Sequence, residues 1–244
     1  IYGSSYLSGS QYIDIQFKKT TDGKIIYCIE RSKAPIGSST TEKYTLQKEL
    51  SSKVAYVMEN GYPNKSIFGN ADKDYYTTGL AIWYVINPND STFEYFNLAN
   101  GTYRGNSSDI VVEMAKLVNG ANSYSYTNPS IKINNSNSNL SLSSDGKYYV
   151  SSSMGVKTTG AVGNYTVSLS NAPEGTIVTD TKGNAKTTFA TNESFLVKVP
   201  VSNVKKISNE FEVNVSAKGT INKAYAYTST RSNVQNTGAL YPEN

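Results

Sequence analysis

The period of the hydrophobic pattern changes along this chain, and that change constrains the fold more than any other feature. From about Ser130 onward the sequence is a succession of short alternating runs broken by turn residues: SIKI, KYYVSSS, NYTVSLS, TIVTD, ESFLVKVP, FEVNVSA and KAYAYTS. Alternation places every second side chain on one face, and short strands at regular spacing predict a sandwich or barrel. Before Ser130 the apolar residues recur at helical spacing instead. Leu46, Leu50, Val54, Val57 and Met58 predict a first helix, with Thr41 as its candidate N-cap and Gly61 and Pro63 as its stop. The run YYTTGLAIWYVI predicts a second helix up to Asn87-Pro88. SSDIVVEMAKLVNG predicts a third, with Ser108 as N-cap and Gly120 beyond the last turn.

Two further strands are expected between Tyr12 and Glu30, where YIDIQF and IIYCIE flank the turn sequence TTDGK. Cys28 falls on or at the end of the second, and KAPIGSSTTEKY reads as a loop after it. Two strands alone make a marginal sheet, so they are expected to join the late ones. The predicted fold class is α+β: a β-sandwich or barrel with a mainly helical insertion. This reading makes 1–244 a single domain, with the insertion at about 41–122 and the β-rich part at about 130–244.

A chain of 244 residues can bury a core without disulfides. Its net charge of +4 is scattered, with no basic run to track a phosphate backbone, so nucleic acid is not an expected partner. No apolar stretch approaches the roughly 20 residues that cross a bilayer. No membrane insertion is expected, and any export signal or wall anchor is expected outside this sequence. The absence of histidine removes the usual neutral-pH base and most zinc sites, and it excludes Ser-His-Asp and Cys-His enzymes. No cofactor or metal is expected. One cysteine cannot form an internal disulfide, which leaves Cys28 as the residue equipped for covalent chemistry.

Two motifs stand in order, YCIE at Tyr27–Glu30 and TTGLAIW at Thr77–Trp83. Together they resemble the thioester domains of Gram-positive surface adhesins, which carry an aromatic-Cys-aliphatic motif and later a Thr-Gln-x-Ala-Ile-Trp motif. Tyr27, Cys28 and Ile29 fit the first; Thr78, Ala81, Ile82 and Trp83 fit the second. The order of elements follows the family, and the closing QNTGALYPE resembles its domain end. The resemblance implies a thioester between the cysteine sulfur and a glutamine carbonyl, which captures a lysine amine of a host surface or matrix protein. It also implies an extracellular, cell-wall-anchored protein whose domain is monomeric and, with a single-use acyl group, is not an enzyme. One position departs: Gly79 stands where the family pattern has glutamine. A helical glycine costs about 0.5–1 kcal/mol relative to alanine. The departure implies an inactive variant with a free Cys28 thiol and no covalent capture. An engineered replacement, a natural loss of the bond, a modified glutamine represented as glycine, or another acyl donor would each account for it. Gln47, in the context TLQ, is the candidate for the last.

Plainer readings stand beside these. A cysteine in an aliphatic strand is often a small buried hydrophobe, and Trp83 and Tyr84 suit a core. Glu30, Asp72, Asp74 and Glu94 show no spacing that favours a glycosidase pair. NADKD at Asn70–Asp74 lacks a complete calcium-loop pattern and reads as a solvated loop. The alternative function is a non-covalent protein- or glycan-binding or stalk module. The two functions differ on whether Cys28 and position 79 come together.

Overall fold

Gly23, at φ +88°, closes the turn between the first two strands, a conformation that costs glycine little because it has no Cβ. Its N–H donates to Thr20 O at 3.0 Å, and Thr20 N–H donates to Lys24 O at 2.8 Å. In the computed structural model, which describes residues 1, 5–7, 13–37, 41–135, 138–206 and 211–244, this turn joins β1 (Lys18–Lys19) to β2 (Ile25–Cys28) in an antiparallel pair. The first strand is not where YIDIQF suggests: β1 begins only at Lys18, and none of Ile13–Phe17 is strand. Tyr12 lies outside the described residues, and Ile13–Phe17 spends its backbone groups elsewhere: Ile15 N–H donates to Ile1 O, and Ile13 O accepts from the Tyr76 hydroxyl.

The chain continues through β3 (Tyr44–Glu49), α1 (Ser52–Asn60), α2 (Ala71–Ile86), the short strands β4 (Phe96–Asn97), β5 (Thr102–Tyr103) and β6 (Asn106–Ser107), and α3 (Asp109–Asn122). There follow β7 (Ser130–Ile133), β8 (Leu140–Leu142), β9 (Tyr148–Ser151), β10 (Val156–Thr159), β11 (Ala161–Ser170), β12 (Ile177–Asp180), β13 (Thr188–Phe189), β14 (Phe195–Pro200), β15 (Glu212–Ser229) and β16 (Thr237–Glu243). Helices and sheets are both present in one α+β chain. Packing separates two compact units, 1–126 with 222–243 and 127–221 with Asn244, whereas the sequence pattern treats 1–244 as one domain.

In the first unit α1, α2 and α3 share a core in which Val54, Val57, Tyr75, Tyr76, Leu80, Ile82, Ile110 and Met114 are fully buried. Each buried Val, Leu, Ile or Met contributes about 1.5–3 kcal/mol. Asn70 caps α2 by accepting from Lys73 N–H, and Ser108 caps α3 by accepting from Val111 N–H. The run at Asn70–Asp74 is therefore a helix start and not a solvated loop. Asp74 is buried there, accepting from Ser66 Oγ and from the N–H groups of Ile67 and Phe68. The first helix is shorter than expected: it begins after Ser51, Thr41 is not its cap, and Leu46 lies exposed on β3. Gly120 sits inside α3, where a Cβ would collide with the Tyr56 ring. The strand order is β1-β2-β16-β15, and residues 225–229 of β15 pair with β3. The earliest strands thus lie beside the last one. Among the described residues no helix is long and apolar enough to cross a membrane.

The second unit is built of strands, with a 3-10 helix at Val201–Lys206. Its sheets run β12-β14-β9-β8, β10-β7, and β13-β11 against residues 212–220 of β15. Tyr165 and Phe189, opposite each other on β11 and β13, and Phe195 of the β14 sheet form one ring cluster with Val167 and Val197. FEVNVSA and KAYAYTS, which read as two strands, fall on the single strand β15.

Candidate functional site

β2 ends on Cys28, and the ladder with β16 places Cys28 opposite Thr237 and Tyr27 opposite Gly238. This register brings the residues just before β16 to the end of β2. Ile29 N–H donates to Asn236 O at 3.0 Å, Ala34 bridges Val234 in parallel, and Gln235 N–H donates to Ala34 O at 3.0 Å. The Tyr44 hydroxyl donates to Gln235 O at 3.0 Å. Gln235 is therefore held by its backbone on both sides, and its side chain turns to Cys28. The thiol donates to Gln235 Oε1 with Sγ and Oε1 2.7 Å apart. Both residues are buried, at 4% and 7% exposure. With a C=O bond of ~1.23 Å and trigonal angles at carbon, a sulfur and an oxygen joined to one carbonyl carbon lie about 2.6 Å apart. The pair already stands at nearly that separation.

The Trp83 indole N–H donates to Cys28 O at 2.8 Å, fixing the cysteine from α2. Tyr27 stacks on Tyr75 with ring centroids 4.4 Å apart and donates its hydroxyl to Tyr62 O at 2.5 Å. Thr78 Oγ1 accepts from Tyr62 N–H at 3.0 Å and donates to Asp74 O at 2.8 Å, tying α2 to the chain after α1. Ala81 and Ile82 are core residues, and Ile29 packs against the same core. Of these motif residues Trp83 lines the cavity at Cys28, and Tyr27, Ala81 and Ile82 are buried in the same core. Lys18 on β1 completes the surroundings, its Nζ donating to Gln235 Oε1 at 3.4 Å. Burial pushes the Cys28 thiol above its ordinary range, while the Lys18 ammonium pulls it partly back. Tyr44 is pushed up to about 12, chiefly by burial. A cavity of about 570 Å³ opens onto Cys28, Trp83 and Gln235, with Asp14, Arg31 and Asp90 on its walls. Arg31 and Asp90 form an ion pair at 3.2 Å.

Gly79 packs against Ile15 and Tyr27. A Cβ there would meet Ile15 Cδ1 at 3.0 Å and Tyr27 Cδ1 at 3.8 Å, inside the core beside Cys28. Position 79 thus lies next to the motif of the cysteine, but the carbonyl at the sulfur comes from Gln235. Gln47 is exposed on β3. Gln235 carries the same signal that singled out Gln47, an apolar residue before glutamine, and it opens the QNTGALYPE segment. Among the described residues no cluster of His, Cys, Asp or Glu could hold a metal ion.

The family model of the thioester domain matches residues 25–123, the span from β2 through α3. This segment is similar to thioester domains. Two solved structures share the fold. The Bacillus anthracis TIE protein is 24% identical with a TM-score of 0.72, covering 98% of this chain and 44% of its own. The thioester domain of the Enterococcus faecium TIE86 protein is 20% identical with a TM-score of 0.58, covering 97% of this chain and 89% of its own. This chain thus spans less than half of the B. anthracis protein. No curated protein matches the sequence. The thioester-domain match ends before Gln235, so the sulfur side of the pair falls within it and the carbonyl side does not.

Proposed function

We propose that this chain is an adhesion domain of a bacterial surface protein, and that Cys28 and Gln235 form an internal thioester that captures an amine. The observation that carries this reading is the buried approach of Sγ to Oε1 at 2.7 Å. Bond formation joins Sγ to Gln235 Cδ and expels the side-chain nitrogen as ammonia, which takes the thiol proton with it. Capture joins the incoming nitrogen to Cδ and breaks the S–Cδ bond; the amine loses one proton and the released sulfur gains one. The acyl group is spent once, so the domain is a capture device and not a turnover enzyme.

A lysine of a host surface or matrix protein suits the site as the amine. A neutral amine is the nucleophile, so capture accelerates as pH rises toward the lysine range of about 10.4. A covalent link holds without a large non-covalent interface, which fits an exported, wall-anchored, monomeric domain under mechanical load. Because Gln235 supplies the carbonyl, Gly79 does not silence the chain, and the free-thiol variant implied by position 79 is replaced by an active one. Intact mass spectrometry tests this. The expected mass falls short of the sequence by one ammonia, and the deficit is replaced by one methylamine on treatment. A full sequence mass with a titratable thiol overturns the reading.

A further inference from the structure

Lys18 is only 5% exposed, and lysine is rarely buried unless partners offset the loss of hydration. Among the described residues no carboxylate stands within ion-pair distance of it. Its Nζ instead donates to Gln235 Oε1 at 3.4 Å, the oxygen that also accepts from the Cys28 thiol. The backbone that delivers it is fixed twice. Lys18 pairs with Ile26 across the β1–β2 ladder, and its N–H donates to the Tyr75 hydroxyl at 3.3 Å, which in turn donates to Ile26 O at 2.7 Å.

We infer that Lys18 is a catalytic residue of the acyl-transfer site, its ammonium stabilising the negative charge that develops on Gln235 Oε1. The inference rests on the Cys28–Gln235 thioester reading. When Sγ attacks Cδ, the carbonyl electron pair moves onto Oε1, and the oxyanion collapses as ammonia leaves. When an amine attacks the thioester, the same oxygen carries the charge until the S–Cδ bond breaks. Charge develops at one atom in both steps, and the Lys18 ammonium already donates to that atom. Lys18 keeps its proton throughout: the thiol proton leaves with ammonia in the first step, and the amine supplies the proton for sulfur in the second. A positioned donor in a site sheltered from water is worth more than one in solvent and needs no reorganisation during reaction.

The test compares wild type with Lys18→Met and Lys18→Gln, each checked for folding by circular dichroism. Intact mass reads bond formation, and single-exponential reaction with excess methylamine reads capture. Removing one oxyanion donor slows reaction by roughly 10²–10³-fold, so Lys18→Met is expected either to remain unbonded though folded or to capture methylamine slower by about that factor. Lys18→Gln, which keeps a neutral donor, is expected to fall between it and wild type. Folded variants that form the bond and react at the wild-type rate overturn the role of Lys18. So does a wild-type protein that lacks one ammonia yet shows a free thiol and ignores methylamine, because Lys18 has then itself been acylated. A wild type with no mass deficit overturns the thioester reading instead. Should Lys18→Met fail to fold, Lys18→Gln carries the comparison.

Discussion

Cys28 sits between two opposed influences: burial raises its pKa and the Lys18 ammonium lowers it, with burial the larger. Before any bond forms the sulfur is consequently held as a neutral thiol near neutral pH, and the proposed reaction depends on the closeness of the carbonyl carbon beside it. Gln235→Ala isolates this effect by removing the carbonyl and leaving the thiol. The expected outcome is slow alkylation near pH 7, with the midpoint of the iodoacetamide rate profile above the ordinary cysteine value of about 8.5. The sign follows from the shift: a raised pKa keeps the thiolate scarce until a higher pH, so the profile moves to the alkaline side. A midpoint at or below the ordinary value contradicts this electrostatic picture. Gln235 itself was poorly legible in sequence because it lies 207 residues from Cys28. No periodicity reports a pairing at that range. The ladder register of Cys28 with Thr237 creates it, and the local context shared by Gln235 and Gln47 does not distinguish the buried residue from the exposed one.

At the scale of elements, α2 and α3 were legible because helical spacing, the Asn87-Pro88 stop and the Ser108 cap agree. The expected first helix starts too early because Leu46 and Leu50 stand four apart by coincidence, on and just after β3, where Leu46 is 61% exposed. The sequence presents β15 as two runs, FEVNVSA and KAYAYTS, and Gly219 stands between them. It lies within the strand, and a Cβ there would collide with Pro129. Gly79 has a similar explanation, since α2 is buried on all sides around it. Alanine there gains up to about 1 kcal/mol of helix propensity, but its Cβ lands 3.0 Å from Ile15 Cδ1 and 3.4 Å from Ile15 Cγ2. Ile15 is itself buried, and overpacking costs about 1–3 kcal/mol. Gly79→Ala is therefore expected to lower the unfolding free energy by about 1 kcal/mol in urea while leaving the methylamine-reactive fraction of the folded protein unchanged. A stabilised variant means that Ile15 yields easily; loss of reaction in a folded variant means that position 79 takes part in the chemistry.

For the whole molecule, the α+β class was readable from the change of hydrophobic period, whereas the division into two compact units was not. One strand, β15, contributes residues to both units, and the gap between FEVNVSA and KAYAYTS reads in sequence as a connection between strands, not as a boundary between units. The last strands return to the first unit, so the cysteine near one end of the chain and the glutamine near the other belong to one site. Position 79, which the motif alone points to, only packs beside it. Peptide mapping after methylamine treatment tests that claim most directly. The account predicts an N-methyl amide on Gln235 together with a newly free thiol at Cys28. Methylamine on any other glutamine, or on none while Cys28 is free from the start, contradicts it.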